Sequence, residues 1–157
     1  MNANLIVVTG CFGAPVREEA AEIACQKGLP LVDLDSEIQR RDGRSIRRLV
    51  MMNGEHGYRN LEYEILKELS EAGSPCVVAC GDGVLYDDDS REIIRGCGLV
   101  IAGSGLSEDE LWSKASEITD SYHAFMSFGT EDEKRSAFGD LIRRQRSMFD
   151  KELMRGD

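Results

Sequence analysis

The sequence predicts an α/β fold in which a parallel sheet carries helices on both faces. Two observations predict it. Short, unbroken apolar runs recur along the chain, the pattern of strands buried on both sides. Each run is followed by a stretch with helical spacing rather than by a hairpin turn, which implies βα units and a parallel sheet. The length of 157 residues, with 41% hydrophobic and 31% charged residues, fits one soluble domain spanning 1–157. No internal repeat, low-complexity stretch or linker interrupts it.

The elements follow in order. "NLIVVT" (4–9) reads as the first strand, and "PVREEAAEIACQKG" as a helix with Val16, Ala20, Ile23 and Ala24 in register, Pro15 at its start and Gly28 as its stop. Residues 30–34 read as a second strand. "SEIQRRDG" and "SIRRLVMMNG" read as two short helices ended by Gly43 and Gly54. "YRNLEYEILKELSEAG" is amphipathic, with Leu61, Ile65, Leu66 and Leu69 on one face. Residues 76–80 form a third strand, "DSREIIRGCG" a helix, and 98–102 a fourth strand. Ser107 caps a helix with early carboxylates over "SEDELWSKASEITD". About 120–132 lacks periodicity and reads as a lid-like loop before a last helix, "EKRSAFGDLIRRQRSMFDKELM".

Composition removes several functions. A net charge of −10 opposes an electrostatic grip on nucleic acid or an anionic membrane. The arginine clusters at 40–48 and 143–146 suit a small anion or a solvated helix face. No apolar run approaches the roughly 20 residues that span a bilayer, and the start of the chain lacks the charged region of a leader. Five cysteines without C-x-x-C spacing fit reduced thiols and a cytoplasmic location. No metal site is expected, since His56 and His123 are the only histidines and neither lies near a cysteine.

Ligands of such sheets bind beyond the carboxyl ends of the strands. Asp33 and Asp35, two apart at a strand end, are read as pointing to one side. There they can hold Mg²⁺ through water, take a hydroxyl proton or bind a diol; equally, one of them caps the next helix. Gly81 and Gly83 flank Asp82 and allow close backbone approach or a tight turn. Arg59, one turn before Glu62, forms either an oriented fork for a substrate carboxylate or a surface ion pair.

The segment "GLPLVDLDSEIQRRDGRSIRRLVMMNGEHGYRNLEYEILKEL" resembles the shikimate kinase family. The carrying residues are Asp33, Asp35, Ile38, Gly43, Ser45, Ile46, Gly54, Glu55, Tyr58, Arg59 and Glu62, which need no gap. "VVACGDGV" resembles the family's glycine-triplet strand end, and "LIRRQRSMFDKE" its late helix. The resemblance covers about residues 5 to 152. It implies a three-layer P-loop-kinase-like fold with strand order 2-3-1-4 and the family's fifth strand missing. It also implies catalytic roles for Asp33 and Asp35, and contacts to a hydroxy acid such as shikimate from Asp35, Arg59, Gly81, Asp82 and Gly83.

Continued upstream, the resemblance places "GCFGAPVRE" on the family's phosphate loop, G-x-x-x-x-G-K-[ST]. Gly10 takes the first glycine position. Pro15, Val16 and Arg17 fall on the second glycine, the lysine and the Mg-binding hydroxyl, and Glu18 follows. Pro15 has no N–H to offer a phosphate, Val16 carries no cation and Arg17 cannot ligate Mg²⁺. Gly10, Gly13, Arg17 and Lys114 are therefore the residues of a degenerate nucleotide site, Lys114 standing where an arginine often packs on adenine. Asp82 replaces the triplet's middle glycine. The family's late-helix arginine falls on Gln145, and a one-residue shift to Arg144 or Arg146 restores it. "YHAF" stands in the lid with no arginine.

The resemblance thus implies a shikimate-kinase-like protein with lost or weak ATP-dependent phosphoryl transfer and a remnant hydroxy-acid pocket, no resident cofactor and no identified protein partner. The alternatives are an active small-molecule kinase using Mg-ATP through an atypical loop, and a structural or interaction protein.

Overall fold

A computed structural model describes residues 4–155. β1 (Leu5–Gly10), β2 (Leu31–Asp33), β3 (Cys76–Ala79) and β4 (Gly98–Ala102) form one parallel sheet in the order β2-β3-β1-β4. The strands lie where the apolar runs predict them, with the inferred order.

The two sheet faces are packed differently, because alternate strand residues point to opposite sides. On one face α1 (Val16–Lys27) lays Ala20 and Ala24 against Val8, Val77, Ala79 and Ala102; alanines at this spacing let the helix approach closely. On the other, Val7 and Val78 join the larger core, built from Ile65, Leu66, Ile94, Phe138, Ile142 and Phe149 of the helices α3 (Ile46–Ala72), α4 (Asp88–Arg95) and α6 (Glu131–Met154). α2 (Leu34–Asp42) and α5 (Glu108–Ala115) complete the helices.

Two boundaries differ from the sequence reading, and the break at Gly54 agrees with it. β2 has only three residues, and α2 starts at Leu34, because the Asp33 carboxylate accepts the Ser36 N–H and caps the helix. Asp35 therefore lies in the first turn of α2, not on the strand. As expected, one helix ends at Gly54, whose φ 78° and ψ 167° are not helical, and a second follows across the kink within α3. The expected loop ends early. Thr130 and Glu133 form a capping box that starts α6 at Glu131, and Ala124–Ser127 makes a 3-10 turn. Among the described residues no helix is long and apolar enough to cross a membrane.

Candidate functional site

A cleft of 840 Å³ opens at the carboxyl ends of β1, β2 and β3. Gly13 and Arg17 line it, as do Asp33, Asp35, Gly81, Asp82 and Lys114, with 117–122 along one rim. Gly10, Arg59, Gly83, Arg144 and Arg146 are not in its wall.

The β1–α1 loop forms one side. Its amides bond inward: Ala14 N–H to the Cys11 carbonyl at 2.9 Å, Val16 N–H to the Ala14 carbonyl at 2.9 Å, and Phe12 N–H to Gln145 Oε1 at 3.0 Å. Gly10 is closely packed, since a Cβ there would lie 2.8 Å from the Ala102 carbonyl oxygen. Glu19 accepts the Gly103 N–H at 2.9 Å and ties the start of α1 to the turn after β4. Arg17 pairs with Asp33, Nε to Oδ2 at 2.7 Å.

The opposite side is built on α3. Tyr58 Oη donates to Asp35 Oδ1 at 2.6 Å. Burial pushes the Asp35 carboxyl up to about 6, with Asp33 adding to the rise and the Tyr58 hydrogen bond opposing it. Arg59 donates to Glu62 Oε1 at 2.6 Å, and Glu62 is fully buried, so the predicted pair exists as an interior one. The guanidinium packs against the adjoining rings of Tyr58 and Tyr122, 4.7 and 4.6 Å from their centroids. Gly83 is glycine to make room for this stack: a Cβ there would collide with Arg59 Nη2 and Tyr122 Oη.

Asp82 is the centre of a third group. Its Oδ2 is met by His123 Nε2 at 2.7 Å, Gln145 Nε2 at 2.6 Å and Tyr122 Oη at 3.2 Å. Burial works to raise its carboxyl, but His123, Gln145 and Arg59 outweigh that and hold it below the usual range. Gln145, wholly buried, thus joins the β1–α1 loop to the turn after β3. The expected shift to a neighbouring arginine does not occur. Arg144 is exposed, and Arg146 donates to the Leu106 carbonyl at 2.6 Å.

Sequence reasoning did not select Tyr58, Tyr122, His123 or Gln145 as site residues. Gln145 was discoverable: it continues the buried stripe Phe138, Leu141, Ile142, Gln145, Phe149 at helical spacing, whereas Arg144 and Arg146 lie off it. Among the described residues no cluster of His, Cys, Asp or Glu has the geometry of a metal site.

The raised Asp35 carboxyl makes a stability prediction. The native protein keeps this proton to higher pH than the unfolded chain, so burying the carboxylate costs nothing below about pH 4 and costs most above about pH 6. At about 1.4 kcal/mol per pH unit the full cost is of order 3 kcal/mol. Asp35→Asn, whose amide oxygen still accepts from Tyr58, is expected to melt several degrees above the native protein at pH 8 and level with it at pH 4. An equal difference at both pH values would refute this origin.

A parallel sheet in this order, with helices on both faces, is the architecture of the α/β P-loop kinases. The chain belongs to the shikimate kinase family: the family model described as "Shikimate kinase" matches residues 18–102, more than half of it. It is 36% identical over 97 residues to the shikimate kinase of Thioalkalivibrio sulfidiphilus, covering 61% of this chain and 50% of that protein. It is 39% identical over 90 residues to the bifunctional shikimate kinase/3-dehydroquinate synthase of Thermotoga maritima, covering 57% and 18%. The matched region is about half the length of the curated shikimate kinases it resembles. In fold it is similar to the Acinetobacter baumannii shikimate kinase in complex with shikimate (TM-score 0.78, 22% identity, 96% of this chain and 80% of that one). The Bacteroides thetaiotaomicron shikimate kinase is similar too (TM-score 0.76, 24% identity, 91% and 80%).

Proposed function

We propose that this protein is a shikimate-kinase-family binding protein in which ATP-dependent phosphoryl transfer is lost or weak. It keeps a pocket for a small hydroxylated ligand. The observation that carries the reading is the bond from Phe12 N–H to Gln145 Oε1. A phosphate loop works by aiming free backbone N–H groups at phosphate oxygens. Here the amides of Phe12, Ala14 and Val16 are bonded within the protein, and Pro15 has none. The residues do not fit Mg-ATP: Val16 supplies no cation, no hydroxyl stands at Arg17, and the Arg17 guanidinium is paired with Asp33.

What remains is the hydroxyl-recognising end. Asp33 and Asp35 line the cleft and offer acceptors to ligand hydroxyls. Asp35 is also the group placed to draw a proton from a hydroxyl held there. The five cysteines, all free, suit a cytoplasmic setting.

The second reading, an active small-molecule kinase, has one observation in its favour. Arg17 lines the cleft and is largely exposed, so breaking its pair with Asp33 would free a cation near the loop. Titration calorimetry with Mg-ATP separates the two. Binding weaker than about 1 mM is expected, against the micromolar to millimolar KM range of working enzymes, with no turnover of shikimate above the enzyme-free rate. A micromolar dissociation constant that Arg17→Ala abolishes would establish the kinase reading.

A further inference from the structure

We infer that Asp82 and Tyr122 set the ligand class of this cleft by closing its carboxylate-binding end, so that it takes a neutral polyhydroxylated ring and not a hydroxy acid. The inference deepens the pocket reading above and rests on it.

Arg59 is the cation that a ligand carboxylate on the α3 side would seek, and it is already enclosed. The Tyr58 and Tyr122 rings pack side by side against its guanidinium, and its edges are bonded to Glu62 and Glu55. Only 5% of the residue is exposed, and it does not reach the cleft wall. Tyr122 and Tyr58 both belong to the cleft lining that Arg59 is missing from, so they stand between it and the cleft.

Asp82 supplies the second barrier. It lines the cleft, carries a negative charge, and has taken the donors of this region: His123, Gln145 and Tyr122 all converge on its Oδ2. It thereby stands as a carboxylate belonging to the protein, in the polar environment that an incoming acid would need. A ligand acid would have to displace Tyr122, find its donors already occupied, and lie beside a like charge in a partly buried site.

The other end of the cleft has no such closure. Asp35 and Asp33 line it with carboxylate acceptors that suit hydroxyl donors. Its volume of 840 Å³ suits a small-molecule ligand. Recognition by acceptors at one end and exclusion of charge at the other defines a neutral polyol.

The test uses a matched pair, shikimate and its methyl ester, which share ring and hydroxyls and differ in the charge. Affinities are measured by protein-observed NMR titration on the native protein, Asp82→Asn, Asp82→Gly and Tyr122→Ala. The native protein is expected to bind the ester about ten-fold more tightly than the acid. Asp82→Asn keeps the size and hydrogen bonds of the side chain and should bring the two ligands within about three-fold. Asp82→Gly should reverse the order, and Tyr122→Ala should improve the acid alone. A merely structural role for these residues would weaken both ligands together and leave their ratio unchanged, which overturns the inference. Preference of the native protein for the acid overturns it while leaving the pocket reading intact. Binding of neither ligand to any form ends both.

Discussion

Replacing Glu62 with alanine is expected to lower stability by about 3–5 kcal/mol, the usual cost of removing one partner of a buried ion pair. For a chain of this size that is a fall in melting temperature of about ten degrees or more. The physical reason is the enclosure of Arg59. Glu62 Oε1 holds it at 2.6 Å with no exposure of its own, and among the described residues the only other carboxylate on the guanidinium is the half-exposed Glu55, at 3.2 Å. Burial pushes the Glu62 carboxyl up to about 7 while Arg59 pulls it down, so the measurement belongs at pH 8, where the pair is ionised. Urea unfolding of Glu62→Ala and of the double variant Arg59→Met with Glu62→Leu makes the check. The double variant removes both charges and fills the space, and it should recover most of the loss. If the double variant is as unstable as the single one, the cost comes from packing and not from an uncompensated charge.

Gly13→Ala should be almost as damaging, at about 3 kcal/mol or more. The residue sits at φ +99°, and an added Cβ would collide with the Leu111 carbonyl oxygen, a backbone atom of α5 that cannot turn aside. Strain and collision act together there. Gly28→Ala separates the two effects. Gly28 also has a positive φ, +64°, but nothing lies within 4 Å of an added Cβ, so only the conformational cost of about 1 kcal/mol applies. Thermal unfolding of both variants should show Gly13→Ala melting much lower. Equal losses would remove the collision from the explanation.

The sheet was legible because buried parallel strands leave a one-dimensional mark: "LIVVTG", "CVVA" and "GLVIA" carry no charged residue. β2 was less so. It is an edge strand of three residues with Leu31 substantially exposed, and its end is decided by a side-chain cap at Asp33 that competes with strand extension. Asp33 and Asp35 were found because they stand together where a strand ends, and Arg59 because its partner Glu62 lies one helical turn away. The Asp82 group was not, because its members come from 82, 122, 123 and 145 and meet only when α6 docks on the sheet. Neither periodicity nor spacing records such a meeting. Gly83 was noticed in the sequence as a place of close approach or a tight turn; the side chains that crowd it, Arg59 and Tyr122, come from far along the chain and could not be read there.

Gln145 has a bearing on how this cleft could be re-engineered. One amide holds Phe12 N–H through its oxygen and Asp82 through its nitrogen, so the two walls of the cleft are mechanically a single part. The substitutions Pro15→Gly, Val16→Lys and Arg17→Ser, made in the β1–α1 loop alone, would leave the Phe12 amide claimed by a side chain 133 positions away. Freeing that amide with Gln145→Ala first would take from the buried Asp82 carboxylate one of its three donors, a charged hydrogen bond of about 1.5–3 kcal/mol. The order of changes is thus constrained. Neutralising position 82 before changing 145, and 145 before the loop, avoids that loss, so rebuilding the loop begins at a residue outside it.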